Sequence, residues 1–312
     1  MSQREFCPYR GADVEQNLLN DEHVIPETLG GMRATVIRVE MIANGTLGSE
    51  VDGPVVDQLF GHHRLKFDLR GHSGRAPRIE WPVSVPAAGD QEGRFSVTAH
   101  GAVVKLRPLV TRERQVDGTE RITVSGNPED ALRIFAEIRK ASEAKGKTVT
   151  VDPIVVTKLD QPRITGSVAF DILAIARFPV KVALGMGHLW GGSAWSRGPT
   201  AATLRKALWA KSVAEFEASG AEIAHLRPAT LGMRVEPNEH VFVLTQRPGT
   251  KAILSMLFFG HQGWMITIDR EGGDLARLAM KTVLLNVENG ALQDLSTADL
   301  MTQDRVRLPE PD

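Results

Sequence analysis

The sequence predicts an α+β fold, with a small turn-rich module at the N-terminus, a linker, and a larger mixed domain. Three features support this prediction. The first sixty residues are short apolar runs between turns, one clear helix pattern lies near the middle, and the last third contains strand-like runs in the order of an antiparallel meander. We therefore expect a module over residues 1–60, a basic linker over 61–90, and a domain over 91–312 whose mainly antiparallel sheet packs against two or three helices.

Length and composition are those of an ordinary globular protein. The 312 residues are enough to bury a sizeable core without disulfides, and 42% hydrophobic with 24% charged residues excludes a wholly disordered chain. The 37 basic and 38 acidic side chains leave a net charge of −1. Any surface that binds a polyanion must therefore be local.

Cysteine content and apolar patterning favour a cytoplasmic protein. The single cysteine, Cys7, can form neither an internal disulfide nor, alone, a four-ligand zinc site. The N-terminus has no apolar run of signal-peptide length. The longest apolar stretch, residues 168–190, is interrupted by three charged residues and by Pro179, so it predicts a buried helix and no membrane association.

Strand patterns occur in all three parts of the chain. Residues 34–39 form the best strand of the module, and residues 94–112 and 121–124 alternate as half-buried strands do. Residues 148–157 predict a further strand. The C-terminal meander is expected from three runs, residues 240–246, 251–260 and 264–269.

Three helices are expected. The first follows Asn127, whose side chain can cap it, and ends before Gly146. The second covers roughly residues 167–189 and should break or kink at Pro179. The third covers residues 201–218. The glycine-rich run GMGHLWG in the second helix imitates a dinucleotide-binding loop poorly, and it indicates close packing or a helix stop instead.

The most basic part of the chain is residues 61–78. It contains five arginine or lysine residues against one aspartate, a local net charge of +4. The segment predicts a phosphate-binding surface formed by Arg64, Lys66, Arg70, Arg75 and Arg78. Its histidines, His62, His63 and His72, fit no structural metal spacing and are expected to be solvated or to face phosphate.

The segment with the clearest chemical meaning is LNDEHVIPETLGG at residues 19–31, followed by ANGTLGSEVD at 43–52. An acidic residue directly before a histidine offers a ligand for a hard metal ion beside a general base. Hydrolysis of a phosphodiester needs both, because neutral imidazole can deprotonate water while a divalent ion offsets the charge that develops on the phosphate.

These residues resemble a known family, the HNH or ββα-metal endonucleases, in the branch with the pattern C-x-x-C, D-E-H-[IV]-I-P-x-x-L-G-G, C-x-x-C-N and L-G-S-E-V-D. The corresponding segments here are CPYR at 7–10, DEHVIPETLGG at 21–31, EMIAN at 40–44 and LGSEVD at 47–52. The resemblance covers roughly residues 6–56, about a sixth of the chain. It implies a small ββα-metal-like module and a metal-dependent endonuclease that acts on DNA.

Residue by residue, the resemblance implies that His23 is the general base and Glu22 the metal ligand beside it. Asp21 would be a supporting carboxylate, and Asn44 the asparagine that braces the loop holding the base. Asp52 falls near the position of the last metal ligand, although the common family form has histidine there. The implied cofactor is a divalent ion, Mg²⁺, Mn²⁺ or Ni²⁺.

The chain departs from the family at the structural zinc site. Of the four cysteines only Cys7 is present, and Arg10, Glu40 and Ala43 occupy the other three positions. No structural zinc is therefore expected. A module of this size without its clamp should rely on the rest of the chain through eight apolar residues, Phe6, Leu18, Leu19, Val24, Ile25, Leu29, Val36 and Ile37.

Two functional interpretations remain at this point. In the first, the protein is a metal-dependent DNA endonuclease in which His23 activates water and the basic segment holds phosphates. In the second, the module is a scaffold or nucleic-acid-binding element without cleavage, and the larger C-terminal domain carries the function. Retention of Glu22, His23 and Asn44 favours the first.

Overall fold

A computed structural model gives the fold of the chain and describes residues 3–31, 35–153, 155, 163–246, 250–270, 275, 280–296 and 299. It confirms the α+β class, with helices, a six-stranded sheet and several small antiparallel sheets. The described residues form two compact units. Unit 1 contains residues 1–77 and 170–312, and unit 2 contains residues 78–169.

These bounds differ from the expected module, linker and C-terminal domain. The expected linker over 61–90 is divided, since residues 61–77 belong to unit 1 and residues 78–90 begin unit 2. Unit 2 is thus an insertion between the two parts of unit 1. The N-terminal module and the C-terminal sheet share one unit because their apolar residues form one continuous core.

The N-terminal part of unit 1 contains two hairpins and a run of helix. Strands β1 (Arg4–Cys7) and β2 (Ala12–Glu15) form the first hairpin, and β3 (Leu19–His23) and β4 (Val36–Glu40) form the second. Helix α1 (Met41–Leu47) starts directly after β4, so the order of elements is ββα.

The helical run continues beyond α1. One π-helical turn (Gly48–Asp52) joins α1 to α2 (Gly53–Gln58), and a short helix α3 (Gly61–Lys66) follows. Residues 61–66, expected in a linker, are therefore helical. A π-helical turn widens the helix locally and changes the direction of the side chains on it. Both Glu50 and Asp52 lie on this turn.

Unit 2 consists of small sheets and one helix. A three-stranded meander is formed by β5 (Ile79–Val85), β6 (Gln91–Thr98) and β7 (Gly101–Leu106), and a separate hairpin by β8 (Leu109–Arg114) and β9 (Glu120–Ser125). These strands confirm the alternation predicted for this region.

Helix α4 (Pro128–Glu143) follows β9 and ends before Gly146, as predicted, but the Asn127 side chain does not cap it. Instead, Asn127 Nδ2 donates to the carbonyl of Leu106 at 3.5 Å. The strand predicted over residues 148–157 is not formed by its described residues 148–153 and 155. In the next described segment, which begins at residue 163, Thr165 forms an isolated antiparallel bridge with Ser84.

The chain re-enters unit 1 with the long helix α5 (Ile172–Ser196), followed by α6 (Pro199–Leu208) and α7 (Val213–Ala218). A break or kink was predicted at Pro179, and no break occurs there, because α5 continues through Pro179 within a buried segment. Its non-helical residue is Gly192, with φ 66° and ψ −164°. The single helix expected over residues 201–218 is instead two helices, α6 and α7.

Helix α5 has the length and composition needed to cross a membrane, although 67% of its most apolar window is buried inside the protein. Its glycines allow close packing, as the sequence predicted. A Cβ on Gly185 would lie 2.6 Å from the Val24 side chain, and one on Gly187 would lie 2.2 Å from the Trp195 ring. The helix can therefore lie directly against the N-terminal module.

The C-terminal part of unit 1 is a six-stranded antiparallel sheet with the order β10-β13-β12-β11-β14-β15. Its strands are β10 (Ile223–Leu226), β11 (Glu239–Thr245), β12 (Ala252–Phe258), β13 (Gln262–Asp269), β14 (Met280–Asn286) and β15 (Leu292–Leu295). The meander β11-β12-β13 was predicted, whereas β10, β14 and β15 were not. The sequence also predicts a turn over residues 247–250, of which residues 247–249 lie outside the described residues.

One apolar core joins the module, helix α5 and this sheet. Val24, Ile25 and Leu29 of the module are completely buried in it together with Phe178 of α5 and Phe258 of β12. Of the eight module residues expected to make such contacts, six are buried. Leu18 is an exception, with 45% of its surface exposed, and Val36 is half-buried. Burial of these residues in the common core thus stabilises the module.

Candidate functional site

Strand β3 carries three of the predicted site residues in succession. Asp21, Glu22 and His23 are paired with Arg38, Ile37 and Val36 of β4. Because successive side chains of a strand point to opposite faces, Glu22 points away from the face shared by Asp21 and His23. Burial follows the same alternation, since Glu22 is buried, Asp21 is exposed and His23 is half-buried.

The buried face of β3 holds an ion-pair cluster. The ammonium group of Lys181, on α5, contacts Glu22 Oε1 and lies 2.5 Å from Asp52 Oδ2. No part of the Lys181 side chain is exposed, and only 10% of the Glu22 side chain and 15% of the Asp52 side chain are. The two carboxylates predicted as metal ligands are therefore brought together, with an ammonium group bound to both.

The protonation of this cluster follows from burial and charge. Burial raises the pKa of Asp52 from 3.8 to about 6 against the opposing charge of Lys181, and the Glu22 carboxylate raises it further. Burial alone would lower the pKa of Lys181, but Asp52 and Glu22 outweigh it and raise this pKa above its usual value. Lys181 is thus a permanent cation at neutral pH.

A second basic residue stabilises the same part of α5. Arg177 lies one helical turn before Lys181, so both point to the same side of α5. Its Nε donates to the carbonyl of Leu208 at 2.5 Å, and its Nη1 lies 3.3 Å from Glu50 Oε2. Glu50 and Asp52 of the π-helical turn are therefore each paired with a basic residue of α5.

Tyr9 lies in the same buried region. Its side chain is fully buried, and its hydroxyl has no hydrogen-bond partner among the described residues. Burial raises the pKa of Tyr9 well above its ordinary value, and the charges of Glu22 and Asp52 raise it further. The second carboxylate oxygen of Asp52, Oδ1, is also buried without a hydrogen-bond partner in the described part of the chain.

These residues do not fit the divalent ion that the resemblance implies. Glu22 and Asp52 already bind a buried cation that belongs to the chain. Asp21, expected as a supporting ligand, is exposed and forms an ion pair in which its Oδ1 lies 3.7 Å from Arg38 Nη1. No group of three histidine, cysteine, aspartate or glutamate side chains suited to a metal lies within the described residues.

Asn44 makes the kind of contact that the resemblance implies. Its Nδ2 donates to the carbonyl of Asp21 at 3.2 Å and to Asn20 Oδ1 at 3.1 Å. Helix α1 is thereby bonded to the strand that carries His23. The imidazole of His23 itself makes no hydrogen bond within the described ranges, so nothing there orients either ring nitrogen.

The four residues of this chain that align with the zinc ligands of the resemblance make other contacts. Arg10 Nε lies 3.1 Å from Glu40 Oε2, and the Cys7 thiol accepts a hydrogen bond from the Glu40 amide at 3.3 Å. Ala43 is buried at the fourth position. An ion pair and a sulfur hydrogen bond therefore connect the segments that a zinc ion would join.

The predicted basic surface is partly neutralised. Arg64 pairs with Asp57 at 2.9 Å, Arg70 with Asp68 at 2.7 Å, and Arg78 with Glu80 at 3.2 Å. Two further basic side chains, Lys66 and Arg75, are exposed and have no carboxylate partner in the part of the chain that the structure describes. Arg78 belongs to unit 2 and the other four belong to unit 1.

The histidines of the basic segment have different surroundings. His62 and His72 are exposed. His63 was expected to be solvated or to face phosphate, but it is half-buried and stacks on Phe259 with ring centroids 4.5 Å apart. Burial lowers the pKa of His63 from 6.5 to about 4, with a smaller contribution from neighbouring His62. The His63 side chain therefore packs helix α3 against Phe259.

Lys181, Arg177 and Tyr9 were not identified as site residues from the sequence. The available signal was the pair of basic residues four positions apart in an otherwise apolar helix, because a buried charge must find a counter-charge. That spacing does not identify the partners, which are about 130 to 160 residues away in the sequence. Comparisons of the chain with family models, with curated proteins and with solved structures find no match.

Proposed function

We propose that this chain is a non-cleaving, nucleic-acid-binding protein built on an HNH-like module. The absence of cleavage is proposed from the position of Lys181, whose ammonium group is bound to both Glu22 and Asp52. The module keeps the architecture that holds a cation between two carboxylates. The cation is a side chain of the protein itself.

A buried ammonium group cannot perform the chemistry of a divalent ion here. Phosphodiester hydrolysis requires a cation that contacts the phosphate oxygens and the leaving oxygen as negative charge develops. Lys181 has no exposed surface and directs its charge to two carboxylates. His23 could still accept a proton from water, but no cation would be available to stabilise the negative charge that develops on the phosphate.

Binding to nucleic acid is supported by the basic residues of the surface. Lys66 and Arg75 are exposed and unpaired with carboxylates among the described residues, and Arg70 is paired only with Asp68, which is half exposed. Such exposed ion pairs are weak, because water and salt screen them, so phosphate can compete for the arginine. This surface would bind backbone phosphates without reading sequence.

A metal-dependent DNA endonuclease is the second candidate. It is favoured by the bond between Asn44 and the carbonyl of Asp21, which braces the strand bearing the expected base. It is also favoured by the convergence of Glu22 and Asp52. This candidate requires Lys181 to leave the carboxylates before an ion can bind.

A plasmid-nicking assay distinguishes the two candidates. Purified protein is incubated with supercoiled DNA in EDTA, Mg²⁺, Mn²⁺ or Ni²⁺, beside a His23→Ala variant and with DNA retention measured on the same samples. We expect DNA binding without nicking in every condition and no difference between the two proteins. Metal-dependent nicking that disappears in His23→Ala would instead establish the endonuclease.

A further inference from the structure

We infer that the polar face of the β5-β6-β7 meander in unit 2 is a second nucleic-acid surface, which binds backbone phosphates through Arg78, Arg94 and Lys105. The inference rests on the proposed function and extends it to a different part of the molecule. The basic residues on which the proposed function depends belong to unit 1, whereas this face lies wholly within unit 2. The inserted unit thereby gains a role in binding.

An open groove of about 1340 Å³ lies on this polar face. Successive side chains of a strand point to opposite faces, so alternate residues of the three strands form the floor of the groove. These residues include Glu80 of β5, Arg94 and Ser96 of β6, and Val103 and Lys105 of β7. Residues 165–167 also line the groove, next to the bridge between Thr165 and Ser84. Every residue of the lining belongs to unit 2.

Glu80 holds two arginine side chains on this face. Its carboxylate accepts hydrogen bonds from Arg94 Nη1 and from Ser96 Oγ, both at 3.0 Å, and lies 3.2 Å from Arg78 Nε. The Glu80 side chain is only 25% exposed, whereas Arg78 is 61% and Arg94 67% exposed. A guanidinium group has five N–H donors, so both arginines keep donors for a ligand. One sheltered carboxylate thus orients two cations and neutralises the charge of one.

A pair of like charges lies beside this cluster. Arg94 and Lys105 are directly opposite each other in the pairing of β6 with β7. Like charges at opposite positions destabilise a sheet, because their Cβ atoms are only about 4.5–5.5 Å apart. Lys105 is exposed and has no carboxylate partner in the described part of the chain. An anion bound between the two side chains would remove the repulsion.

The other groups of the groove also favour phosphate. Four basic side chains and three carboxylates line it, and one of these carboxylates, Asp130, is paired with Arg133 of α4. Basic groups are therefore in excess. The hydroxyls of Ser84 and Ser167 make no hydrogen bond within the described residues and can donate to a ligand. Arginine, lysine and serine side chains are the usual donors to the phosphate oxygens of nucleic acids.

The three cations form a row across the sheet. Arg78 directly precedes β5, Arg94 lies on β6 and Lys105 lies on β7. Neighbouring strands are about 4.8 Å apart, so this row is about 10 Å long. A single small anion would contact only part of the row, whereas a nucleic-acid strand presents successive phosphates along its length. The row therefore fits a nucleic-acid backbone better than a free phosphate ion.

The experiment measures the binding of a labelled DNA duplex to full-length protein by fluorescence anisotropy over a salt series. The double variant Arg94→Gln, Lys105→Gln is compared with Arg112→Gln, Arg121→Gln. The second variant removes the same charge from the β8-β9 hairpin, outside the groove. A slope of about 0.9 per contact means that each lost phosphate contact weakens binding about eightfold at about 0.1 M salt. We expect this loss in the groove variant and near wild-type affinity in the hairpin variant.

A gain in affinity provides an independent measurement. Glu92 lines the groove, is 76% exposed and pairs with Arg107 at 3.4 Å. Glu92→Gln removes a negative charge from the groove and releases Arg107, so it should tighten DNA binding and steepen the salt dependence. Glu113→Gln is the matched control, because Glu113 is exposed on β8 outside the groove. The control should leave both quantities unchanged.

Two results would overturn the inference while leaving the proposed function in place. One is wild-type affinity in Arg94→Gln, Lys105→Gln, and the other is an equal loss in the groove and hairpin variants. Failure of the wild type to bind DNA would instead refute the proposed function, and the groove with it. Circular dichroism checks that each variant is folded. If the groove variant does not fold, Lys105→Gln alone provides the same comparison, since this side chain has no partner to lose among the described residues.

Discussion

The imidazole of His240 donates from Nε2 to the carbonyl of Leu29 at a distance of 2.7 Å. Its Nδ1 accepts a hydrogen bond from the Phe259 amide at 3.2 Å, so the proton of the neutral ring must be on Nε2. One buried side chain of β11 thereby fixes the turn after β3 to the C-terminal sheet.

Replacing His240 should therefore destabilise the whole of unit 1. We expect His240→Phe to lower the free energy of unfolding by about 1–3 kcal/mol, because the buried Leu29 carbonyl loses its donor. Urea unfolding monitored by tryptophan fluorescence measures the change. His225→Phe is the matched control, since His225 is exposed on β10. Equal stability of both variants and wild type would contradict the role given to His240.

Acidification should destabilise the protein before its surface carboxylates titrate. Burial lowers the pKa of His240 from 6.5 to about 4, so the unfolded chain binds this proton first as the pH falls. The stability due to neutral His240 is complete above about pH 6.5 and is lost toward pH 4, and His63 acts in the same direction. Urea unfolding at a series of pH values tests this.

Asp52 should oppose that acid effect. Its pKa is raised from 3.8 to about 6, so the folded state binds the Asp52 proton first as the pH falls. By this linkage Asp52 increases stability as the pH falls from about 6 toward 3.8. The loss of stability between pH 6 and 4 should thus be steeper in Asp52→Asn than in wild type. An identical slope would show that Asp52 does not titrate in this range.

Lys181 should be more important for stability than any surface ion pair. Lys181→Met should cost about 3–5 kcal/mol, since it leaves two buried carboxylates without a cation. Combining it with Glu22→Gln and Asp52→Asn should recover most of that loss, because neutral groups of similar volume need no counter-charge. Chemical denaturation of the single and triple variants measures both effects. A triple variant as unstable as the single one would argue against charge as the cause.

Neutralising the exposed arginines should weaken nucleic-acid binding. The double variant Arg70→Ala, Arg75→Ala should bind DNA less tightly, and the slope of log affinity against log salt concentration should be shallower by about 0.9 per lost phosphate contact. Fluorescence anisotropy over a salt series gives both quantities. Arg139→Ala in α4 is the control, because this arginine is exposed and paired with Glu143. Unchanged affinity and slope would remove the basic segment from the binding surface.

Local patterns in the sequence were sufficient for much of the fold. The apolar runs of β11, β12 and β13 predicted the central meander, and the start at Asn127 and stop at Gly146 predicted α4. Strand β14 was missed although Val283, Leu284 and Leu285 are buried. A short apolar run of this kind does not distinguish a buried strand from part of a buried helix.

Less of the candidate site than of the fold could be predicted from the sequence. The order D-E-H and the trailing aspartate predicted which carboxylates belong to the site, and Glu22 and Asp52 do converge. Their partner could not be predicted, because Lys181 lies on a helix 129 residues beyond Asp52.

The separation of Lys181 from Glu22 has a consequence for synthesis. The ribosome must add 159 residues, including all of unit 2, between the two members of this ion pair. At about 5–20 residues per second, roughly 8–32 s pass during which the first ββα segment exists without its counter-charge or the α5 surface. Unit 2 can complete folding in that interval. The first part of the chain to be made is thus among the last to reach its native state.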